Sequence, residues 1–519
     1  MAAALGPGEP AARRNVLLIT LDQWRAECLG CLGHPQLKTP HMDALARDGA
    51  VFTRHYTQAS PCGPARASLL TGLYLHNHRS LRNGIPLDFR HATLAGEVRR
   101  LGYDPVVFGY TDTAVDPRRY APDDPALTTY EGLLPGFSAG LLLPETLDAW
   151  RAYLAGLGHV LPEEPQDIWL PAGGGPLGKG PSFAPPVYAA EHSETAFLTD
   201  AVLRHLALQS QRQPWFVHVA YIRPHPPYIA PAPYHALYDA DAMAPPVRRP
   251  DPELEGRQHP WLAEMIRRRR QGPAFLQSRP PQYSLTERDE LQIRATYLGM
   301  VTQVDDQIGR LVAALRMRGD YDDTLIIITA DHGDQLGDHW LYGKDGYFNA
   351  TFQIPLIVRL PDAAARGVSC TAFTEAVDLM PSILEWLGAK APPACDGYSL
   401  LPLCGGRVPA NWRREVHMGY DFRDIRNPAL EQALGVGPEQ SGLLILQDEA
   451  GKYVHFSGLP PLFFDLQEDP NEFVNRAGDP ACQARMLEYA QRLLSWRMQH
   501  EDRTLSHIHL GQGGPAFRA

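Results

Sequence analysis

The chain has 519 residues, is 44% hydrophobic and carries a formal net charge of −11. That supplies a large core, enough for one big domain with a smaller one appended or for two to three compact units. The acidic balance excludes the basic footprint of a nucleic-acid-binding protein, and no apolar run is long enough for a membrane span.

The first ten residues, Met1 to Pro10, are rich in Ala, Gly and Pro, so 1–12 is expected to be a disordered or extended tail. The first apolar run, Val16 to Leu21, is too short for the core of a signal peptide. Seven cysteines, an odd number, without an export signal fit a reducing cytoplasm rather than a disulfide framework. Cys28 and Cys31 have redox or zinc spacing, but no second pair completes a site, so they read as packing.

Asn15 to Leu21 reads as a strand buried on both faces, with Asp22-Gln23 at its C-terminal end. Thr39 to Ala46 is a short helix. In Ser60 to Gly72 a loop gives way to a helix, with Pro64 suited to its first turn. Cys62 then lies at a helix N-terminus, where free N–H groups favour an anion, and Arg66 brings a fork of donors to the same place. Only three residues separate Cys62 from Arg66, too few for the phosphate loop of a cysteine phosphatase. The bland alternative is a buried cysteine beside a capping loop.

Asn83 lies in a polar turn, and Thr93 to Leu101 is an amphipathic helix. Val106 to Tyr110 is a strand ending in Thr111-Asp112-Thr113. Residues 120–186 are irregular and read as a lid or subunit contact. Glu191 to Gln209 is a helix, and Pro214 to Tyr221 a strand running into Arg223-Pro224-His225-Pro226-Pro227-Tyr228. Residues 240–283 are irregular; their basic run, Arg267 to Arg270, reads as a solvated helix end or a subunit contact. A long helix is expected over Ser284 to Arg318, with capping-box spacing at Ser284 and Glu287. Thr324 to Thr329 is a strand with Asp331-His332-Gly333-Asp334 just past its end. Ile354 to Arg359 is another strand, and Thr374 to Leu387 a helix. Strands alternating with helices give an α/β class with a mostly parallel sheet flanked by helices over 13–393. From 394 to 519 short strands at Glu415–Tyr420, Leu443–Gln447, Tyr453–Phe456 and Leu462–Asp465, then a helix at Gln483–Met498, give a smaller antiparallel α+β subdomain.

If the strands are parallel neighbours, Asp22-Gln23, Cys62 and Asp331-His332 meet at one sheet edge. Two carboxylates, an amide oxygen and an imidazole suit a divalent cation such as Mn2+ or Ca2+, and the imidazole favours Mn2+; Zn2+ is a further alternative.

Cys62-Gly63-Pro64-Ala65-Arg66 resembles the C-x-P-x-R signature of the sulfatase family, part of the alkaline phosphatase superfamily. Asp22-Gln23, Thr39-Pro40, Asp331 to Asp334 and Phe464 to Pro470 extend the resemblance over nearly the whole chain. Arg223 to Pro227, Leu336 to His339 and Gly343 to Phe348 resemble the phosphonate monoester hydrolase/phosphodiesterase branch. The resemblance implies an alkaline phosphatase-like fold and a nucleophile made by oxidising Cys62 to formylglycine. It implies metal ligation by Asp22, Gln23, modified Cys62, Asp331 and His332, and anion contacts from Arg66, Asn83, Tyr110, His225 and Lys344. The turn after Tyr110 departs from the threonine-rich pattern: Asp112 stands between Thr111 and Thr113, which become candidate substrate contacts. A formylglycine-generating enzyme is the implied modifying partner, a small anionic ester the substrate, and a homodimer or homotetramer the assembly. The implied activity is hydrolysis of monoanionic phosphonate monoesters and phosphodiesters, with sulfate esters second. An arylsulfatase, an inactive anion-binding scaffold with an unmodified Cys62, and a two-metal phosphodiesterase recruiting His339 are the competing readings.

Overall fold

The computed structural model describes residues 14–172, 179–210, 213–270, 285–361, 363, 365–502 and 504–517. The expected tail over 1–12 and Ser284 lie outside the described residues. In chain order the strands are β1 (Asn15–Leu21), β2 (Ala50–Tyr56), β3 (Ala59–Ser60), β4 (Pro105–Gly109), β5 (Ser138–Leu142), β6 (Phe216–Tyr221), β7 (Thr324–Ala330), β8 (Gln353–Arg359), β9 (Val368–Cys370) and β10 (Thr374–Glu375). All but β3 form one sheet, ordered β10-β2-β8-β7-β1-β6-β4-β5, with β9 also on β2. Six of its eight pairings are parallel; β8 runs antiparallel to both β2 and β7.

The Leu/Ile-rich strands β1 and β7 take the centre, where every residue of both is buried. Helices Pro40–Asp48, Glu194–Leu208 and Glu287–Arg318 pack together as one layer, and Cys62–Thr71, Leu94–Arg100 and Leu379–Trp386 as another. The long helix starts at Glu287, not Ser284. Its capping box is Thr286 with Asp289, whose N–H bonds Thr286 Oγ1 at 3.2 Å while Asp289 Oδ2 accepts the Thr286 N–H at 2.9 Å. Thr374 to Asp378, expected as helix, is a strand end and a 3-10 turn before Leu379–Trp386. The irregular stretch 120–186 contains the edge strand β5 and a helix, Asp148–Gly156.

A second sheet follows: β11 (Val416–Asp421), β12 (Gly442–Gln447), β13 (Gly451–Phe456) and β14 (Leu462–Asp465), all antiparallel, with helix Gln483–Gln499 against them. Its edge is completed by β3, two residues from the N-terminal half, pairing parallel with β11. The late sheet is therefore stitched to the backbone just before Cys62. Beyond it Ile508–Gly511 and Gly514–Phe517 form a separate hairpin.

Four adjacent parallel strands, β7, β1, β6 and β4, end at one edge. Leu21 lies opposite Ala330 and Tyr221, and β4 stands in register beside β6. Asp22, Asp331, the 223–228 segment and Tyr110 to Asp112 leave from that edge, the place where open α/β sheets bind ligands.

Candidate active site

Helix Cys62–Thr71 begins at Cys62, and its whole length is buried. The N–H of Gly63 donates to Asn83 Oδ1 at 2.8 Å. A Cβ at position 63 would lie 3.1 Å from that oxygen and 3.2 Å from the backbone oxygen of Asp112, so glycine lets these loops close on the helix end. Cys62 Sγ is 3.2 Å from His332 Nε2 and 3.0 Å from Lys344 Nζ. Burial and the charge of Asp22 push the Cys62 thiol well above its ordinary value, against the pull of Lys344.

Asp22, Cys62, Asp331 and His332 are all buried and each offers a donor atom within 4.8 Å of the others. His332 Nδ1 lies 3.0 Å from the carbonyl of Gly333, which can only accept. The ring proton is therefore on Nδ1, and the Nε2 lone pair faces the cluster, as a metal ligand requires. Gln23 joins through its amide. Its Nε2 donates to Asp334 Oδ2 at 2.7 Å, while its Oε1 is buried with no hydrogen-bond partner among the described residues. An orphaned buried acceptor is costly, and a cation bound beside it would satisfy it. The donor set fits a divalent metal.

Arg66 sits beneath this cluster and not in the cleft. Its Nε donates to Asp331 Oδ2 at 3.1 Å, its Nη2 to Asp22 Oδ2 at 3.2 Å, and its guanidinium lies 4.3 Å from the centre of the Tyr110 ring. Tyr110 O–H donates to the same Asp22 oxygen. Arg66 thus fixes the two carboxylates instead of reaching for an anion.

A cleft of about 970 Å³ opens above Cys62, lined by Asp22, Gln23, Asn83, Tyr110, Asp112, His225 and Lys344 among others. Thr111 and Thr113 are not among its lining residues. Thr111 Oγ1 donates to Gly132 O and accepts the Leu134 N–H, both at 2.9 Å, and Thr113 Oγ1 donates to Thr111 O at 3.3 Å. Asp112 takes the cleft-facing place. Burial pushes its carboxyl up to about 7, with Arg66 pulling down and Asp22 pushing further up.

His225 is pushed down to about 3 by burial and by Lys344. Its Nδ1 lies 2.7 Å from the Pro226 carbonyl and so carries the proton of the neutral ring, leaving Nε2 as an acceptor. Lys344 is held above its usual value: burial disfavours its charge, but Cys62, Asp22 and Asp331 more than offset that. Of these two residues, Lys344 is the one that carries a positive charge and so a readily given proton.

Sequence reasoning missed Asp334 and Arg223 as site residues. Asp334 orients Gln23, accepts Tyr228 O–H at 2.6 Å, and takes the N–H groups of Leu336 and Gly343 at 2.9 and 3.1 Å. Arg223 donates to the carbonyls of His225 and Pro227 at 2.9 and 2.8 Å and pairs with Glu194 at 2.5 Å, holding the His225 loop. Both stood inside motifs already singled out; only their partners were invisible. His339 is turned away, its Nδ1 2.6 Å from Glu255 and its ring stacked on Phe348. Arg267 and Arg268 pair with Glu264 on their own helix, whereas Arg269 pairs with Asp345 at the cleft.

Fold and site together define an α/β ester hydrolase, with its cleft at the carboxyl edge of a mostly parallel sheet and a buried cluster there that could hold a metal ion. The chain belongs to the sulfatase family, whose model matches residues 14–389; the model for the N-sulphoglucosamine sulphohydrolase C-terminal region matches residues 337–499. It is 45% identical over 514 residues to the multifunctional alkaline phosphatase superfamily protein PehA of Trinickia caryophylli, covering 98% of this chain and 99% of that one. Among solved structures it resembles the phosphonate monoester hydrolase of Agrobacterium radiobacter, at 44% identity and a TM-score of 0.92 over 98% of this chain and 100% of that one. The phosphonate monoester hydrolase of Silicibacter pomeroyi matches at 41% identity and a TM-score of 0.92, over 98% and 99% of the two chains.

Proposed function

We propose that this enzyme hydrolyses monoanionic phosphonate monoesters and phosphodiesters, and sulfate monoesters as a second class, using a formylglycine formed from Cys62 by a formylglycine-generating enzyme. The observation that carries the reading is Cys62 Sγ held 3.2 Å from His332 Nε2 and 3.0 Å from Lys344 Nζ on the floor of the cleft. The whole-length likeness to phosphonate monoester hydrolases supports the choice of ester.

Asp22, Gln23, Asp331 and His332, with the residue at 62, are the groups that would hold the metal, Mn2+ in preference to Ca2+ or Zn2+. Bound there, the metal supplies a Lewis acid that polarises oxygen and lowers the pKa of an oxygen ligand. Water adds to the formylglycine aldehyde to give a hydrate with two hydroxyls on one carbon, one to attack and one whose deprotonation expels the product and restores the aldehyde. As a thiol, Cys62 is held protonated, which suits a precursor better than a nucleophile.

The chain's own residues do the rest. Arg66 fixes the carboxylates of Asp22 and Asp331, so the cluster needs no rearrangement when charge develops. Lys344 neutralises charge beside the nucleophile and gives its proton to the leaving oxygen. His225, neutral, lines the cleft wall with its Nε2 free to accept a hydrogen bond from the substrate side. Asn83 anchors the helix end through the Gly63 N–H, and Tyr110 holds Asp22.

The ester class follows from charge. Arg66 is spent on Asp22 and Asp331, which leaves Lys344 as the cation next to Cys62. Asp334 and Asp338, which could have helped a second metal, are taken by structural donors, Asp338 by Arg25 at 2.8 Å and Arg294 at 3.3 Å. A tetrahedral monoanion matches this site better than a dianion.

No helix of the described residues is long and apolar enough to cross a membrane. The seven cysteine positions form no disulfide, which supports a reducing compartment such as the cytoplasm. The C-terminal hairpin supports a homodimer or homotetramer: Ile508 to Ala516 are exposed, and a lone two-stranded ribbon is marginal in water. The test of function compares kcat/KM on matched aryl phosphonate monoester, phosphodiester, phosphate monoester and sulfate. The first two are expected to lead; a phosphate monoester in first place overturns the assignment, and a sulfate far ahead favours an arylsulfatase.

A further inference from the structure

Asp112 is an acidic residue of the cleft that none of the roles above uses. Its side chain is 6% exposed, and its nearest cation is Arg66 Nε at 3.7 Å, a guanidinium already shared between Asp22 and Asp331. Among the described residues no donor hydrogen-bonds its carboxylate. It nonetheless lines the cleft, on the loop whose backbone closes against Gly63, next to Cys62. A carboxylate that is nine-tenths buried, unbonded and open to an anion-binding cleft demands a role.

We propose that Asp112 sets the charge selectivity of this site: its carboxylate faces the non-reacting oxygens of the bound ester and disfavours a second negative charge there. The proposal rests on the ester-hydrolase reading above and refines it. A like charge within hydrogen-bonding range costs far more in a buried cleft than in water. The penalty falls on a phosphate monoester, a dianion above its second pKa of about 6. It spares a phosphodiester or phosphonate monoester, which offers an alkoxy or carbon group at the same corner. Glu131, which also lines the cleft, adds to the same negative field at Asp112.

The backbone fits this role. Asp112 has φ of +48°, a left-handed conformation that Asp, Asn and Gly occupy and β-branched residues avoid. Asp112→Asn keeps shape and backbone and removes the charge; Asp112→Gly keeps the backbone and removes the side chain.

The experiment uses the full-length enzyme at pH 8.5. kcat/KM is measured for 4-nitrophenyl phosphate, an aryl phosphodiester and an aryl phosphonate monoester. Calorimetry then compares binding of inorganic phosphate, a dianion, with dimethyl phosphate, a monoanion. In both variants the phosphate monoester-to-diester ratio of kcat/KM is expected to rise at least tenfold, and inorganic phosphate to gain affinity relative to dimethyl phosphate by a similar factor. Equal changes across all esters, with unchanged relative binding, assign Asp112 a merely structural part and overturn the proposal. The wild-type rates separate the two levels: a wild-type enzyme inactive on diesters and phosphonates refutes the parent reading, whereas an active one with charge-blind variants refutes only this inference.

Discussion

Replacing Lys344 by alanine isolates the residue to which the mechanism assigns most. Lys344 Nζ stands 3.0 Å from Cys62 Sγ and stays charged under the influence of Cys62, Asp22 and Asp331. The loop that carries it does not depend on the ammonium group. Ser60 Oγ donates to the Lys344 backbone carbonyl, and Asp345 is held by Arg269 at 2.6 Å and by Tyr420 O–H at 2.8 Å. Truncation therefore removes a charged donor and little else. One preorganised donor aimed at developing charge is worth about 2.7–4 kcal/mol, or about 100- to 1000-fold in kcat. The assay is steady-state hydrolysis of an aryl phosphonate monoester and of its alkyl counterpart. We expect kcat to fall by that factor with KM nearly unchanged, because the interaction is strongest in the transition state. If Lys344 also protonates the leaving oxygen, the loss is larger for the alkyl ester, whose poorer leaving group needs the proton more. A raised KM with unchanged kcat refutes the assignment and makes Lys344 a simple binding group.

Asp334→Asn deprives either the Gln23 amide and Tyr228 hydroxyl or the Leu336 and Gly343 N–H groups of their acceptor. Metal affinity, read by titration of the metal-free enzyme with Mn2+, is expected to fall about 10- to 100-fold; unchanged affinity removes Gln23 from the ligand set. Arg66→Met takes from Asp22 and Asp331 the buried guanidinium that bonds both, so metal-free protein loses about 3–5 kcal/mol in denaturant melts, and added metal restores part of it. Unchanged stability in the metal-free variant contradicts the clamp. His55 is buried, pushed down to about 3 by burial and by Arg413, and hydrogen-bonded at 3.0 Å to Thr374 Oγ1. Below about pH 6.5 the unfolded chain protonates this ring and the folded one does not, so stability falls as pH drops from 6.5 towards 3, by up to about 1.4 kcal/mol per pH unit for one such group. His55→Gln is expected to flatten that slope between pH 6 and 4, and an unchanged slope shows that His55 is protonated in the fold.

Much of this was legible because the central strands announce themselves. Val16 to Leu21 and Thr324 to Thr329 are dominated by Val, Leu and Ile, and a polar pair just past each identified the sheet edge where Asp22 and Asp331 meet. Strand Ala50–Tyr56 was overlooked because Thr53 and Arg54 interrupt its apolar run where its register with β8 shifts. The direction of β8 was hidden too, since an apolar run reads the same way parallel or antiparallel. The pairing of Ala59–Ser60 with a strand more than 350 residues later is a tertiary event with no local trace. At the site, residue types at strand ends pointed to the metal cluster, but loop residues were harder. Thr111, Asp112 and Thr113 are consecutive, and which of them faces the cleft depends on the left-handed turn at Asp112. Arg66 was read as an anion contact because its charge is visible in the sequence while the carboxylates that consume it come from two distant strands.

The account turns on what the side chain at position 62 becomes. Mass spectrometry of the peptide spanning Pro61 to Arg66, from enzyme whose specific activity has been measured in the same preparation, tests this directly. The expected result is the aldehyde or its hydrate at position 62, in a fraction that tracks activity from one preparation to the next. A peptide carrying only the unmodified cysteine, in enzyme of full activity, would contradict the account.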